Sequence, residues 1–301
     1  MSVAFIFPGQ GAQVTGMGKD FYEQTETGRK VFDKASDLLG FSMPELCFEP
    51  DDRLNLTEYT QAAMVTTSIA MMKVLMERKG ICPDVAAGLS LGEYCALAAA
   101  GAMSEEDAIT AVRKRGILMQ QAVPAGIGGM AAVLGMESEA IETVLTGIED
   151  VQIANYNCPG QIVISGRKEA VELAGAQLKN AGAKRVVSLN VSGPFHSQML
   201  TKAGEELGKT LAQIEIHPLK IPYVANVTAE YVTDEKKIKG LLEKQVSHSV
   251  RWQQSVEAML AKGVDTFVEI GPGKTLSGFM RKINRDVKTV NIEKLEDLEK
   301  F

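Results

Sequence analysis

Ser90 stands between two glycines in Gly88-Leu89-Ser90-Leu91-Gly92, a spacing that can turn a hydroxyl into a nucleophile. Residues 85–89 are short and apolar, like a buried strand, and residues 91–100 are alanine-rich and spaced like a helix. A serine on so sharp a strand-to-helix turn needs small neighbours two residues away on either side, because backbone approaches backbone there. The turn lifts the hydroxyl out at the end of the strand. It also aims the free N–H groups of the helix start at the place where an oxyanion would form. The same five residues also fit a turn whose serine only caps the helix.

A serine near neutral pH needs a base. The chain has three histidines. His217 precedes Pro218 and reads as a surface connection, and His248 lies between serines in a polar stretch. His196 follows Gly193-Pro194-Phe195, in a loop just after a strand, where a scaffold holds catalytic groups. His196 is therefore the expected partner of Ser90. No acid between the two stands in a telling context, so a backbone carbonyl is a candidate to orient the imidazole. Arg115 sits on a helix opened by Ser104-Glu105-Glu106-Asp107, with apolar residues directly after it. Taken as a residue alone, it reads as a solvated arginine.

These groups need a large frame, and 301 residues at 45% hydrophobic content supply one large unit or two modest domains. A net charge of −6 argues against a nucleic-acid partner. The absence of a long apolar run argues against a membrane partner, and no export signal is read at the start of the chain. Cys47, Cys82, Cys95 and Cys158 form no C-x-x-C pair. The expectation is therefore no metal, no disulfide framework and a reducing cytoplasm.

In chain order, residues 3–7 read as a buried strand running into Pro8-Gly9-Gln10-Gly11-Ala12-Gln13. That turn is not a dinucleotide loop, because Val14 stands where the third glycine belongs. Helices are expected over 21–39 and 59–79, the latter with core methionines Met64, Met71, Met72 and Met76. Over 129–189 the pattern is strand, helix, strand, strand, helix, strand, a ferredoxin-like order, read as a small domain inserted into a larger α/β one. A helix over 251–262, a strand over 266–270 and a helix near 276–282 follow. Gly271-Pro272-Gly273-Lys274-Thr275 fails as a phosphate loop, because Val268 occupies the first glycine position. Residues 293–301 read as a charged surface tail.

Five motifs taken together carry a resemblance. They are Phe7-Pro8-Gly9-Gln10-Gly11-Ala12-Gln13, Gly88 to Tyr94, Arg115 before Met119-Gln120, Gly193-Pro194-Phe195-His196, and Glu269-Ile270-Gly271-Pro272-Gly273. In that order, over nearly the whole chain, they resemble the malonyl-CoA:acyl carrier protein transacylase family of bacterial fatty acid synthesis. The resemblance implies an α/β-hydrolase-like large subdomain (1–123 and 191–301) with a ferredoxin-like small one (124–190). It implies Ser90 as nucleophile, His196 as general base, Arg115 as the grip on the malonyl carboxylate, and the N–H groups of Gln10 and Leu91 as oxyanion hole. Asn157 and Phe195 fall at substrate-contacting positions, and Phe195 would crowd a 2-methyl branch. Two positions depart from the family: Leu89, where histidine is frequent, and Arg251, where glutamine is frequent and its carbonyl orients the histidine. The implied partners are malonyl-CoA and acyl carrier protein, with no cofactor and a monomeric enzyme. Lys184, Arg185, Arg281 and Lys282 are candidates for a basic docking face. A polyketide acyltransferase and a serine esterase are the alternative readings.

Overall fold

The computed structural model describes residues 2–191 and 193–301, and its frame is a six-stranded sheet. β1 (Val3–Phe7) is buried along its whole length. Val3, Phe5 and Phe7 join one hydrophobic core, while Ala4 and Ile6 join another on the opposite face. The two-residue period of a strand thus fills both faces of a covered sheet. β2 (Val85–Gly88) pairs parallel to β1 on one side.

Between β2 and the end of the chain lie β3 (Gly128–Leu134), β4 (Val151–Cys158), β5 (Gln161–Arg167), β6 (Arg185–Ser188), β7 (Tyr223–Val224), β8 (Tyr231–Val232), β9 (Thr266–Ile270) and β10 (Lys288–Ile292). The larger sheet runs β10-β9-β1-β2-β7-β8 and is parallel except for β8. The smaller sheet, β4-β5-β3-β6, is antiparallel and carries the helices Ser138–Leu145 and Lys168–Asn180. It has its own core around Val133, Ile141, Ile164 and Leu178.

Because β9, β1 and β2 lie side by side and parallel, their following loops emerge at one end of the sheet. Those loops hold Gly9-Gln10-Gly11, Ser90 and Gly271-Pro272-Gly273. In open parallel sheets this carboxyl end is where ligands bind.

Several expectations change. Residues 21–39 form two helices, Lys19–Gln24 and Glu26–Leu39, because Thr25 is extended. Its hydroxyl accepts from Gly28 N–H and donates to Phe21 C=O, so one residue ends a helix and caps the next. Residues 293–301 are not a free tail. They form a 3-10 helix, Leu295–Lys300, with Leu298 buried and Leu295 N–H donating to Asp20. The helix Ile238–Gln245 is absent from the sequence-based reading and supplies a residue of the site. Among the described residues no helix is long and apolar enough to cross a membrane.

Candidate active site

Ser90 is reached through a turn that only its glycines allow. A Cβ on Gly88 would collide with the backbone of Gly92 and Glu93, and one on Gly92 with the backbone of Phe7 and Pro8. Ser90 itself takes φ +55°, a left-handed conformation that costs a non-glycine residue about 1 kcal/mol or more. Two side chains hold it there. Asn226 Oδ1 accepts from Ser90 N–H at 2.7 Å, and Asn226 Nδ2 donates to Gly88 C=O at 2.7 Å. Gln245 Nε2 donates to Ser90 C=O at 2.9 Å.

The Ser90 hydroxyl does not cap the helix Gly92–Ala99, which has no side-chain cap. Its Oγ lies 2.8 Å from His196 Nε2 and accepts from Arg115 Nη2 at 3.0 Å. His196 is also at positive φ, +57°, and is buried. Its Nδ1 lies 2.8 Å from Gln245 C=O, so Nδ1 carries the proton and Nε2 presents its lone pair to the serine. Burial, and then the Arg115 charge, push the imidazole down to about 3, which keeps it neutral at rest.

The carbonyl that orients the imidazole is therefore that of Gln245, and the expectation for Arg251 is corrected. Arg251 C=O accepts from Ser255 N–H and Ser255 Oγ at the start of the helix Trp252–Ala261. The Arg251 guanidinium stacks 5.4 Å over the Tyr156 ring. Both residues follow polar stretches, and nothing in the local pattern tells which of two carbonyls six residues apart faces the imidazole. The side chains of His217 and His248 are exposed, and only the backbone of His248 reaches the His196 imidazole.

Arg115 is buried rather than solvated. Nη1 donates to Gln61 Oε1 at 2.7 Å and Nη2 to Gln245 Oε1 at 2.9 Å. Nε is buried with no partner among the described residues. Gly116, within the helix Glu105–Gln121, explains the depth: a Cβ there would press on the backbone of Thr57 and Glu58, so Gly116 brings this helix close against its neighbour.

Ser90 and His196 open onto a cavity of about 540 Å³, lined also by Gln10, Gln61, Leu89, Asn157 and Phe195. The apolar Leu89 occupies the wall beside the nucleophile. Asn157 Oδ1 is buried with no partner among the described residues. Neither Gln10 N–H nor Leu91 N–H has an acceptor among the backbone bonds of the described residues. Gln61, Asn226, Glu93 and Gln245 complete the cluster. Of these the sequence offered a signal only for Glu93, within the serine motif.

Small-sheet strand β4 closes the site from the other side. Asn155 bridges to Val250, and Gln152 Nε2 donates to His196 C=O at 3.0 Å. A nucleophile and a neutral base at one cavity, with a fixed cation bonded to the nucleophile's oxygen, suit acyl transfer or acyl hydrolysis.

Residues 4–295 match the acyl transferase domain family. The chain is 48% identical to the malonyl CoA-acyl carrier protein transacylase of Bacillus subtilis (strain 168), over 99% of this chain and 95% of that protein. Among solved structures it is similar to the malonyl CoA-acyl carrier protein transacylase from Clostridium perfringens, with TM-score 0.96 and 45% identity over 100% and 96% of the two chains. It is also similar to a malonyl-transacylase solved with its type II PKS acyl-carrier protein, with TM-score 0.94 and 38% identity over 99% and 98%.

Proposed function

The chain belongs to the acyl transferase domain family, and on that premise we propose that it moves the malonyl group of malonyl-CoA to the phosphopantetheine thiol of acyl carrier protein. One observation carries this reading. Ser90 Oγ lies within hydrogen-bond reach of both a neutral imidazole and a buried guanidinium. A plain esterase needs the first and has no use for the second, which suits a substrate with a free carboxylate.

His196 takes the Ser90 proton as Oγ attacks the thioester carbonyl. The oxyanion lies between Gln10 N–H and Leu91 N–H, each worth about 3 kcal/mol of barrier. The carbon–sulfur bond breaks, and coenzyme A leaves with the proton from His196. Gln61 and Gln245 hold Arg115 in place, and its Nη2 donor on Ser90 passes to the malonyl carboxylate. That carboxylate also offsets the charge that depresses His196, so the base strengthens once the right acyl group is bound. His196 then deprotonates the incoming thiol, which attacks the malonyl-serine ester, and the proton returns to Ser90. Asn157 Oδ1 would accept from an amide of the incoming arm, and Phe195 would shape the acyl pocket.

We read the fold as an α/β-hydrolase-like subdomain (1–123 and 191–301) carrying a ferredoxin-like one (124–190). The sheet order β4-β5-β3-β6 supports this. The reading includes action as a monomer, in the cytoplasm where malonyl-CoA is used. The service is to fatty acid synthesis.

The test is to mix the protein with malonyl-CoA without acceptor and weigh it intact. Wild type should gain one malonyl group and Ser90→Ala none. Arg115→Lys, which keeps charge but loses the fork, should reduce the preference for malonyl over acetyl by about tenfold or more. Free malonate accumulating without an adduct would make the protein a hydrolase.

A further inference from the structure

Glu93 lies three residues after the nucleophile, on the helix Gly92–Ala99, and is buried without an ionic partner in contact among the described residues. Its Oε2 accepts from Gln245 Nε2 at 2.7 Å and from Asn226 N–H at 3.2 Å. These two residues are the ones that grip Ser90: Asn226 holds its N–H and Gln245 its C=O. Gln245 also receives Arg115 Nη2 on Oε1 and orients His196 through its backbone. A single carboxylate oxygen thus ties together both supports of a left-handed serine and, through one amide, the guanidinium beside it.

We propose that Glu93 is a positioning residue for acyl transfer: its Oε2 locks Gln245 and Asn226 against the Ser90 turn and thereby sets the place of Arg115. The inference rests on the malonyl-transfer reading. Its chemistry is that of an acceptor held where two donors converge. Oε2 accepts whether the group is ionised or carries its proton on Oε1, so the Gln245 amide turns its NH2 inward and its oxygen toward Arg115. The desolvation of a buried carboxyl is a standing cost to the fold, offset by these two hydrogen bonds. Glu93 Oε1 has no partner among the described residues, so a carboxamide could keep its oxygen at the Oε2 place and put its NH2 at the other.

That asymmetry supplies the test. Glu93→Gln keeps the acceptor, and Glu93→Met fills the same volume without one. Acyl-enzyme formation is followed by intact mass from malonyl-CoA and from acetyl-CoA, with Tm measured alongside. Glu93→Gln should stay within about threefold of wild type, whereas Glu93→Met should lose about tenfold or more with malonyl-CoA and less with acetyl-CoA. The malonyl preference narrows because the displaced Arg115 matters only to the donor with a carboxylate. A role in packing alone would lower both donors together, in step with Tm. Wild-type rate and preference in Glu93→Met would overturn the proposal, as would equal loss in both variants. Should Glu93→Met not fold, Gln245→Leu carries the test. It removes the amide through which Glu93 reaches Arg115 and leaves the backbone carbonyl to His196, and an unchanged malonyl preference would overturn the proposal. Wild type run in parallel separates the two readings: no malonyl-enzyme there refutes malonyl transfer itself, not the role of Glu93.

Discussion

At Ser90 a left-handed backbone, a neutral base and a buried cation meet at one oxygen atom. Two titratable groups around it oppose each other in the pH dependence of stability. His196 is held at about 3 against an ordinary 6.5, by burial and then by Arg115. The unfolded chain takes up a proton that the folded one refuses, so its stabilising contribution is present above pH 6.5 and lost as pH falls toward 3. Glu93 is raised from 4.5 to about 7 by burial, against the pull of Gln245, Asn226 and Arg115. Its contribution is present below pH 4.5 and lost as pH rises through 7. Between 4.5 and 6.5 the two slopes cancel in part. Glu93→Gln removes one of them, so its Tm should fall more steeply than that of wild type from pH 6.5 to 4.5. Parallel Tm curves would mean that these two groups do not oppose each other.

At the scale of elements, the nucleophile turn depends on a residue 136 positions away. Asn226 follows β7 and reaches back to β2 and the helix after it, bonding Ser90 N–H and Gly88 C=O. Asn226→Ala should therefore cost about 2 kcal/mol in urea unfolding, because it leaves two backbone groups unpaired. It should also slow acylation of Ser90 by more than its loss of stability explains. A similar device sits at β9, where Glu269 accepts from Leu276 N–H, Ser277 N–H and Ser277 Oγ and so fixes the start of the helix Thr275–Ile283 at the cavity. The pattern Glu269-Ile270-Gly271-Pro272-Gly273 showed that backbone must turn there, not that the glutamate caps the helix beyond it.

At the scale of the molecule, the two sheets are joined through the histidine loop rather than by a broad apolar face alone. Gln152 on β4 donates to His196 C=O, lies 3.4 Å from Ser247 C=O and accepts from Gln198 N–H. Val250 exchanges backbone bonds with Ala154 and Tyr156. A left-handed His196 is therefore held partly by the smaller sheet. Gln152→Ala should lower kcat by about tenfold with KM little changed, because the base shifts while the cavity that binds substrate stays. A steady-state assay with carrier protein as acceptor checks this, and a rise in KM at constant kcat would assign Gln152 to binding instead.

The sequence by itself determined the element order of the smaller sheet, the serine turn and the choice of His196, because short-range patterns decide them. Glycine spacing, strand period and the scarcity of histidine are all local signals. Only the tertiary structure decided which carbonyl orients the imidazole, that Arg115 is buried, and that Gln61, Asn226 and Gln245 belong to the site. Glutamine and asparagine carry no periodic signature. Their role here comes from donors and acceptors brought together from opposite ends of the chain, and that meeting exists only once the sheets have packed.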